Sequence, residues 1–158
     1  MPLAIVTGTS RGLGRALAER LLAQGWSVHG FVRAPDGWAA PGFVAHTVDV
    51  GDPAAVRAAV AAVTADGATI DLLVNNAGVA AMNALLLTPP EVAAELMRVN
   101  YLGSFHCLQA VGKAMVRARR GRILNVTTVA VPLALEGEAA YVASKAAVEA
   151  LTRVAARE

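Results

Sequence analysis

Cysteine, aromatic residues and net charge are all scarce in this sequence. Its single cysteine, Cys107, cannot form an internal disulfide and is typical of a reducing compartment. Aromatic residues make up 4% of the chain and hydrophobic residues 56%, so the core must be built from Ala, Val and Leu. The net charge of +2 is too small to favour a nucleic-acid partner. The three histidines, His29, His46 and His106, lack metal-ligand spacing, so we predict no metal site.

Long apolar runs are also missing, and we expect no N-terminal leader. No apolar run approaches the roughly 18 residues that a membrane span requires, and the chain passes from Met1-Pro2 straight into a strand-like run. We therefore expect a soluble, cytoplasmic protein without a membrane partner. The densest basic cluster, at residues 117–122, falls where a long helix should end. This position favours an interaction of the cations with the C-terminal end of the helix dipole over binding of nucleic acid. A length of 158 residues predicts one domain, residues 1–158.

Alternating strand-like and helix-like segments predict an α/β fold, a doubly wound parallel sheet of the Rossmann-like type. The predicted strands are short β-branched apolar runs at residues 3–7, 27–33, 43–48, 70–74 and 122–128, the last of them buried. The predicted helices run from a glycine-rich turn to Gly25, from Asp52-Pro53 to residue 66, from Thr88-Pro89 to about residue 118, and from about Ala139 onward. Residues 34–42 combine Pro and Gly without helical periodicity, and we predict a loop or a single turn there.

The segment Gly8-Thr9-Ser10-Arg11-Gly12-Leu13-Gly14 lies between the first strand and the first helix. A glycine-rich turn in this context lets the backbone approach a pyrophosphate, and the helix N-terminus offers unpaired N–H groups. The segment lacks the G-K-S/T ending of a nucleotide-triphosphate loop. A tight turn without a ligand is the alternative. We expect Leu13, Leu17 and Leu21 to form the buried face of the helix.

The end of the second predicted strand indicates which dinucleotide would bind. Proteins that bind NAD usually end this strand with an acid for the ribose hydroxyls, whereas this chain has Val32 and Arg33 there. Arg11 lies inside the glycine turn, and two guanidinium groups suit a 2′-phosphate, so the chemistry points to NADP. Asp36 is too far into the loop to act comfortably as the NAD acid. The alternative is that both arginines are merely solvated.

The last predicted helix begins with Tyr141-Val142-Ala143-Ser144-Lys145. Tyr141 and Lys145 are four residues apart and share a helix face. An ammonium beside a phenol favours the phenolate, which makes a proton donor that works near neutral pH. This spacing alone is a weak signal. Ala143, Ala147, Ala150 and Val154 form a stripe of small residues on the same helix, for which intramolecular packing is the default explanation and a subunit interface the alternative.

Asn100 lies near the middle of the long predicted helix, where asparagine is unfavourable. Taken alone, it is best explained as an exposed surface residue. The alternative is a polar group held at a site, together with a local kink in the helix.

Together these motifs resemble the short-chain dehydrogenase/reductase family, and in particular its 3-oxoacyl-acyl-carrier-protein-reductase-type branch. Residues 7–14 match the family's T-G-x-x-x-G-x-G turn, and residues 75–78 match its N-N-A-G segment. Asp49-Val50 matches its adenine-contacting pair. Asn100, Tyr141 and Lys145 fall where the family keeps its catalytic Asn, Tyr and Lys.

The resemblance implies an NADP(H)-dependent oxidoreductase that interconverts a small-molecule carbonyl and an alcohol. It implies a catalytic set consisting of Asn100, Thr128, Tyr141 and Lys145. Combined with the two arginines, it implies a cofactor-binding set consisting of Gly8, Ser10, Arg11, Gly12, Leu13, Gly14, Arg33, Asp49, Val50, Asn76, Ala77, Gly78, Tyr141 and Lys145. It also implies a homo-oligomer formed through the last two long helices.

Two departures from the family pattern matter. Thr128 stands where the family usually has Ser, and its extra methyl restricts the side chain and crowds the pocket, so we expect reduced or altered activity. The chain also ends at Glu158, inside the last helix. We therefore expect it to lack the family's last strands and most of its substrate pocket, and residues 122–128 to form an open apolar edge. The rival hypotheses are a non-catalytic dinucleotide-binding or interaction domain, and a chain that needs a partner in order to fold.

Overall fold

The computed structural model describes residues 1–34 and 36–158. The strands are β1 (Leu3–Thr7), β2 (Ser27–Val32), β3 (Phe43–Thr47), β4 (Leu72–Asn75) and β5 (Arg122–Asn125). The helices are α1 (Gly12–Ala23), α2 (Pro53–Val63), α3 (Pro90–Leu96), α4 (Gly103–Ala118), α5 (Ala130–Leu133) and α6 (Ala139–Ala155). A 3₁₀ turn spans Leu85–Leu87, and a π-helical segment at Met97–Leu102 joins α3 to α4. None of the described helices is both long and apolar enough to cross a bilayer.

The five strands form one parallel sheet in the order β3-β2-β1-β4-β5. The chain builds outward from β1 to β3, then returns to the other side of β1 and builds outward again through β4. In sheets of this kind ligands bind at the carboxyl ends of the strands, where the winding direction switches. Here that point lies between the ends of β1 and β4. The predicted doubly wound fold is confirmed.

Apolar side chains alternate between the two faces of the sheet, as the period of a strand requires. One face packs against α2 and α4, with a core that includes Ile5, Phe31, Val56, Val60 and Val111. The other face packs against α1, with a core of Ala4, Val6, Ala18, Leu21, Val28 and Val74. Helices therefore cover both faces.

Two predicted helix boundaries are confirmed by their hydrogen bonds. Helix α2 begins after Asp52, whose Oδ1 accepts from the N–H of Ala54 at 2.8 Å. Helix α1 ends before Gly25, which has φ +80°, and the N–H of Trp26 donates back to the Leu21 carbonyl at 3.1 Å. Residues 36–42 form no regular helix or strand, which confirms the predicted loop except at residue 35, which lies outside the described residues.

The predicted buried face of α1 is wrong in part. Gly14, Ala18 and Leu21 face the sheet, whereas Leu13 is 55% exposed and Leu17 is half-buried. The small residues Gly14 and Ala18 bring the helix close to the sheet, so the helix is rotated from the position that the leucines alone would favour.

The predicted strand at residues 122–128 is too long, and it is not buried. Strand β5 ends at Asn125 because its partner β4 ends at Asn75, and the last pairing bond runs from the Val126 N–H to the Asn75 carbonyl at 2.9 Å. β5 lies at an edge of the described sheet, and its Leu124 is exposed.

The single long helix predicted from Thr88-Pro89 to about residue 118 is divided by the π-helical segment Met97–Leu102, which contains Asn100. Asn100 is 0% exposed, so its interpretation as a surface residue is wrong. In α6 the small-residue stripe does not pack intramolecularly as expected, because Ala143, Ala150 and Val154 are exposed. The buried face of α6 is formed by Ser144, Lys145 and Val148.

Candidate active site

The glycine-rich turn after β1 has a backbone that only glycine accommodates easily. Gly8 has φ +75° and Gly12 has φ +60°, both in the left-handed region. Gly14 lies in the first turn of α1, where an added Cβ would overlap the Gly8 carbonyl oxygen and the side-chain amide of Asn76. These glycines therefore bring the start of α1 against the end of β4.

Side-chain hydrogen bonds fix the ends of β1 and β4 to each other. The Asn76 side-chain amide donates to the carbonyls of Thr7 at 2.9 Å and Gly8 at 3.3 Å. In return, Thr7 Oγ1 accepts from the N–H groups of Asn76 at 3.0 Å and Ala77 at 2.8 Å. This network lies at the switch point and fixes the turn to the end of β4.

A cleft of about 970 Å³ runs along these strand ends. Its lining consists of Gly8, Ser10, Arg11, Gly12, Leu13, Phe31, Val32, Arg33, Ala34, Asp36, Val48, Asp49, Val50, Asn76, Ala77, Gly78, Val79 and Val99. The lining includes every predicted cofactor residue except three. Gly14 is packed behind the turn, Tyr141 lines a second cavity, and Lys145 is buried in α6.

Both signs of charge occur at the end of the cleft beside β2 and β3. Arg11 and Arg33 line it and are exposed, and neither forms an ion pair within residues 1–34 and 36–158. Asp36, which we expected to be too far into the loop to act comfortably as the NAD acid, also lines the cleft, and it is paired with Arg15. Both acids of the lining, Asp36 and Asp49, therefore form ion pairs with arginines that lie outside it. Arg11 and Arg33 form no ion pair in the described residues and could bind a negatively charged group.

Asp49 is the second acid of the cleft. Its Oδ1 accepts from the Gly51 N–H at 2.8 Å, and its Oδ2 accepts from Arg98 Nη1 at 2.9 Å. Burial alone would raise the pKa of Asp49, but these two hydrogen bonds, together with the positive charges of Arg98 and Arg33, outweigh it and hold the pKa below its usual value. Arg98 also forms a two-point contact with Glu95, at 2.6 and 2.9 Å, so it is fixed from both sides.

Asn100 connects the segment after β4 to α6. Its side-chain amide donates to the Val79 carbonyl and to Ser144 Oγ, both at 2.9 Å, and its Oδ1 accepts from the Val79 N–H at 2.9 Å. Ser144 Oγ donates in turn to the Tyr141 carbonyl at 2.7 Å. π-helical turns are often found at functional sites. Here one places a buried amide where it holds two chain segments together.

Lys145 lies on the buried face of α6, one turn after Tyr141. Its Nζ donates to the Val126 carbonyl at 2.9 Å, and burial lowers its pKa. A Cβ added at Gly78 would lie 3.1 Å from Asn100 Oδ1 and 3.4 Å from Lys145 Nζ. Glycine at this position therefore brings the chain close to both polar groups.

Tyr141 and Thr128 line a second cavity of about 490 Å³. The rest of its lining consists of Ala80, Ala81, Met82, Val129, Ala130, Leu135 and Glu138. Thr128 Oγ1 accepts from the Ala130 N–H at 3.2 Å, which orients the oxygen and leaves its proton free to donate. Val79 lines the first cavity and Ala80 the second, so the two adjoin. A long ligand in the cleft could therefore present one end beside a phenol and a hydroxyl.

Sequence reasoning missed several residues of this arrangement. Ser144 could have been found, since helical spacing places it on the same face as Lys145 and Val148. The pairing of Arg15 with Asp36 joins residues 21 positions apart, and that of Arg98 with Asp49 joins residues 49 positions apart. No local pattern marks such pairs.

Comparison with known proteins agrees with these features. The family model described as short chain dehydrogenase matches residues 2–158. The 3-oxoacyl-acyl-carrier-protein reductases FabG of Vibrio cholerae and Escherichia coli are 34% and 33% identical over 162 residues, 99% of this chain. The chain spans 66% of the length of each of these two relatives.

Solved structures give the same result. The ligand-free aldohexose dehydrogenase of Thermoplasma acidophilum superposes with a TM-score of 0.91 at 30% identity, covering 97% of this chain and 59% of that one. A short-chain dehydrogenase from Streptomyces avermitilis superposes with a TM-score of 0.91 at 31% identity, covering 96% and 58%. The resemblance inferred from the motifs, including that to the 3-oxoacyl-acyl-carrier-protein-reductase-type branch, is confirmed. The chain belongs to the short-chain dehydrogenase family.

Proposed function

We propose that this protein is an NADP(H)-dependent oxidoreductase that interconverts a carbonyl and an alcohol, with Tyr141 as the proton donor and acceptor. One observation carries the proposal: the cleft beside the glycine turn and the cavity beside Tyr141 meet at consecutive residues, Val79 and Ala80. Such an arrangement suits a dinucleotide that spans the strand ends and a substrate that lies against its reactive end.

The residues of the cleft fit NADP in charge and in shape. The glycine turn and the first N–H groups of α1 would hold the pyrophosphate. Arg11 and Arg33, which have no carboxylate partner in the described chain, would hold the 2′-phosphate. Asp49 and Val50 would contact the adenine. Asn76, Ala77 and Gly78 would line the part of the ligand that extends towards α6. When bound, this cofactor supplies or accepts a hydride.

The proposed catalytic roles follow the chemistry of the side chains. The Tyr141 phenol gives a proton to the carbonyl oxygen during reduction and takes it back during oxidation. The Lys145 ammonium would hold the nicotinamide ribose, and burial lowers the pKa of Lys145, which makes its own proton easier to release. Thr128 donates a hydrogen bond to the oxygen as negative charge develops on it. Asn100, whose amide hydrogens are both already donated, would hold a water only through the remaining acceptor capacity of its Oδ1, and we propose that this water relays protons to Lys145.

The second cavity favours an apolar substrate. The named relatives act on different carbonyl compounds, since two are 3-oxoacyl-acyl-carrier-protein reductases and one is an aldohexose dehydrogenase. Most of the side chains that line this cavity, including those of Ala81, Met82 and Leu135, offer no hydrogen bonds to the hydroxyl groups of a sugar, and Glu138 is the one charged side chain of the lining. We therefore expect a 3-oxoacyl or similar apolar ketone to be preferred over a hexose.

A carbonyl-reduction assay tests the proposal. The purified chain is incubated with NADPH and with 3-oxoacyl thioesters, simple apolar ketones or an aldohexose, and cofactor oxidation is followed by absorbance. Oxidation that depends on an apolar ketone supports the proposal. A folded chain that binds NADPH but reduces none of these carbonyls would instead support a non-catalytic dinucleotide-binding domain.

We also propose self-association through α4 and α6. The exposed small residues Ala143 and Ala150, with the exposed Val154, leave an unpartnered face on α6 that another helix could approach closely. Sedimentation should detect a homo-oligomer, and Ala150→Arg should shift it towards monomer because a long charged side chain prevents close packing. An unchanged sedimentation profile for this variant would exclude this face as the interface.

A further inference from the structure

The Arg15 side chain, near the start of α1, contacts two neighbouring segments of the chain. Its Nε donates to the Thr9 carbonyl at 2.9 Å, and its Nη2 donates to the Ser10 carbonyl at 3.1 Å. The same Nη2 pairs with Asp36 Oδ2, and the guanidinium carbon lies 4.0 Å from the centre of the Trp38 ring. Arg15 therefore joins the glycine turn to the loop between β2 and β3.

Asp36 is held through both of its oxygens. While Oδ2 pairs with Arg15, Oδ1 accepts from the Trp38 N–H at 3.1 Å. The Trp38 ring packs on Phe43 at the start of β3, with ring centres 4.1 Å apart. The Arg15 and Asp36 side chains are only 22% and 31% exposed, so the pair is screened less by solvent than an ordinary surface ion pair.

The position of the Arg15–Asp36 pair beside the cleft affects which ligand can bind there. Asp36 lines the cleft, as do Arg11 and Arg33, whereas Arg15 lies behind the lining. An uncompensated carboxylate there would repel a 2′-phosphate and could accept a hydrogen bond from a ribose hydroxyl, which is how NAD-binding proteins use an acid. Pairing with Arg15 suppresses both effects.

We propose that Arg15 is a specificity-determining residue, which neutralises Asp36 and so maintains a preference for NADPH over NADH. The proposal rests on the proposed function, since it assumes that the cleft binds a nicotinamide dinucleotide. Arg15 acts through Asp36 and does not touch the phosphate. The preference is therefore set by an attractive pair, Arg11 and Arg33, together with the suppression of a repulsive acid.

A purely structural role for Arg15 predicts a different result. If Arg15 only supports the glycine turn through Thr9 and Ser10, its loss should weaken both dinucleotides through the pyrophosphate, and it could weaken NADPH further by displacing Arg11, which lies in the same turn. In that case, removing the Asp36 charge should not restore the preference. The ratio of the two dissociation constants in Arg15→Met, taken together with the ratio in the double variant, therefore separates the two roles.

The test measures both dissociation constants by calorimetry for the wild-type chain, Arg15→Met, Asp36→Asn and the double variant. We expect Arg15→Met to reduce the preference for NADPH roughly tenfold, as for a like charge exposed near the site. The double variant should restore the preference, and Asp36→Asn alone should preserve or increase it. Equal weakening of both dinucleotides by Arg15→Met, or no restoration in the double variant, would overturn the proposal.

Two further variants keep the outcome interpretable. Arg20→Met removes an exposed arginine from the last turn of the same helix and should leave both constants unchanged. Arg15→Lys keeps a cation beside Asp36 but cannot reproduce the guanidinium fork, so it should bind both dinucleotides less tightly while preserving the preference. If Arg15→Met fails to fold, loss of the preference in Arg15→Lys would overturn the proposal. A wild-type chain that binds neither dinucleotide would overturn the proposed function itself.

Discussion

The two cavities of this protein are built differently. The cleft at the carboxyl ends of the strands is shaped by backbone conformation, by hydrogen bonds between strand ends and by paired charges. The cavity beside Tyr141 is lined mainly by Ala, Val, Leu and Met, and its Met82 and Val129 are largely exposed. Contacts within the chain therefore fix the shape and the charges of the first region. The second supplies a phenol and a hydroxyl in an apolar setting.

Asn100 and Ser144 connect the two regions. The segment that passes from one cavity to the other at Val79 is held by Asn100 on both its N–H and its carbonyl. The same Asn100 side chain reaches α6, which carries Tyr141 and Lys145. A substitution in one region should therefore show, through turnover, NADPH affinity or stability, how far the other region depends on it.

The largest effect should come from Tyr141→Phe. We expect turnover to fall about a thousandfold, because the general acid is lost. NADPH affinity should stay nearly unchanged, because the cleft is formed by other residues. Assays of activity and calorimetry on the same preparation measure both quantities. Full activity in this variant would refute the assignment of Tyr141 as the proton donor.

Asn100→Ala should damage both regions at once. It leaves the N–H and carbonyl of Val79 without their present partner, and we expect a loss of about 3 kcal/mol in the free energy of unfolding. Urea denaturation measures this loss, and Gln109→Ala on the exposed side of α4 serves as the control. A loss no larger than that of the control would show that Asn100 does not connect the two cavities.

Gly14→Ala should affect the cleft more than the cavity beside Tyr141. The new methyl would overlap the Gly8 carbonyl and the Asn76 amide, and we expect about 2 kcal/mol of destabilisation together with weaker NADPH binding. Gly112→Ala in α4 is a matched control, since a Cβ there meets no atom within 4 Å. It should increase stability by about 0.5 kcal/mol, because alanine favours a helix. Similar effects of the two substitutions would contradict the close packing of the turn.

The smallest effect concerns a pair of histidines away from both cavities. His29 Nδ1 and His46 Nε2 are 2.8 Å apart and share a hydrogen bond. Burial lowers the pKa of both from 6.5, and the neighbouring His46 lowers that of His29 further. The unfolded chain therefore takes up protons first, so the free energy of unfolding should fall as the pH drops below about 7.

Urea denaturation at several pH values between 7 and 5 tests this expectation, with His46→Gln as the comparison. The variant should lose less stability than the wild-type chain over this range, because it has one fewer titrating group. An equal loss in both would show that the histidine pair is not responsible.

Local patterns predicted the parts of the molecule that depend on neighbours in sequence. The glycine turn, the Asp52 cap and the stop at Gly25 each follow from a few consecutive residues, and the doubly wound parallel sheet follows from alternating strands and helices. The face of α1 was predicted incorrectly because Gly14 and Ala18, small residues, decide how the helix packs. The length of β5 depends on where β4 ends. The burial of Asn100 and the pairs formed by Arg15 and Arg98 depend on contacts between distant segments.

The most direct test of this account is calorimetric titration of the wild-type chain with NADPH and, separately, with NADH. The charges at the cleft end, with Arg11 and Arg33 available and Asp36 and Asp49 compensated, predict NADPH binding at least about tenfold tighter than NADH binding. Equal affinities, or tighter binding of NADH, would contradict the assignment of the cleft as a 2′-phosphate site.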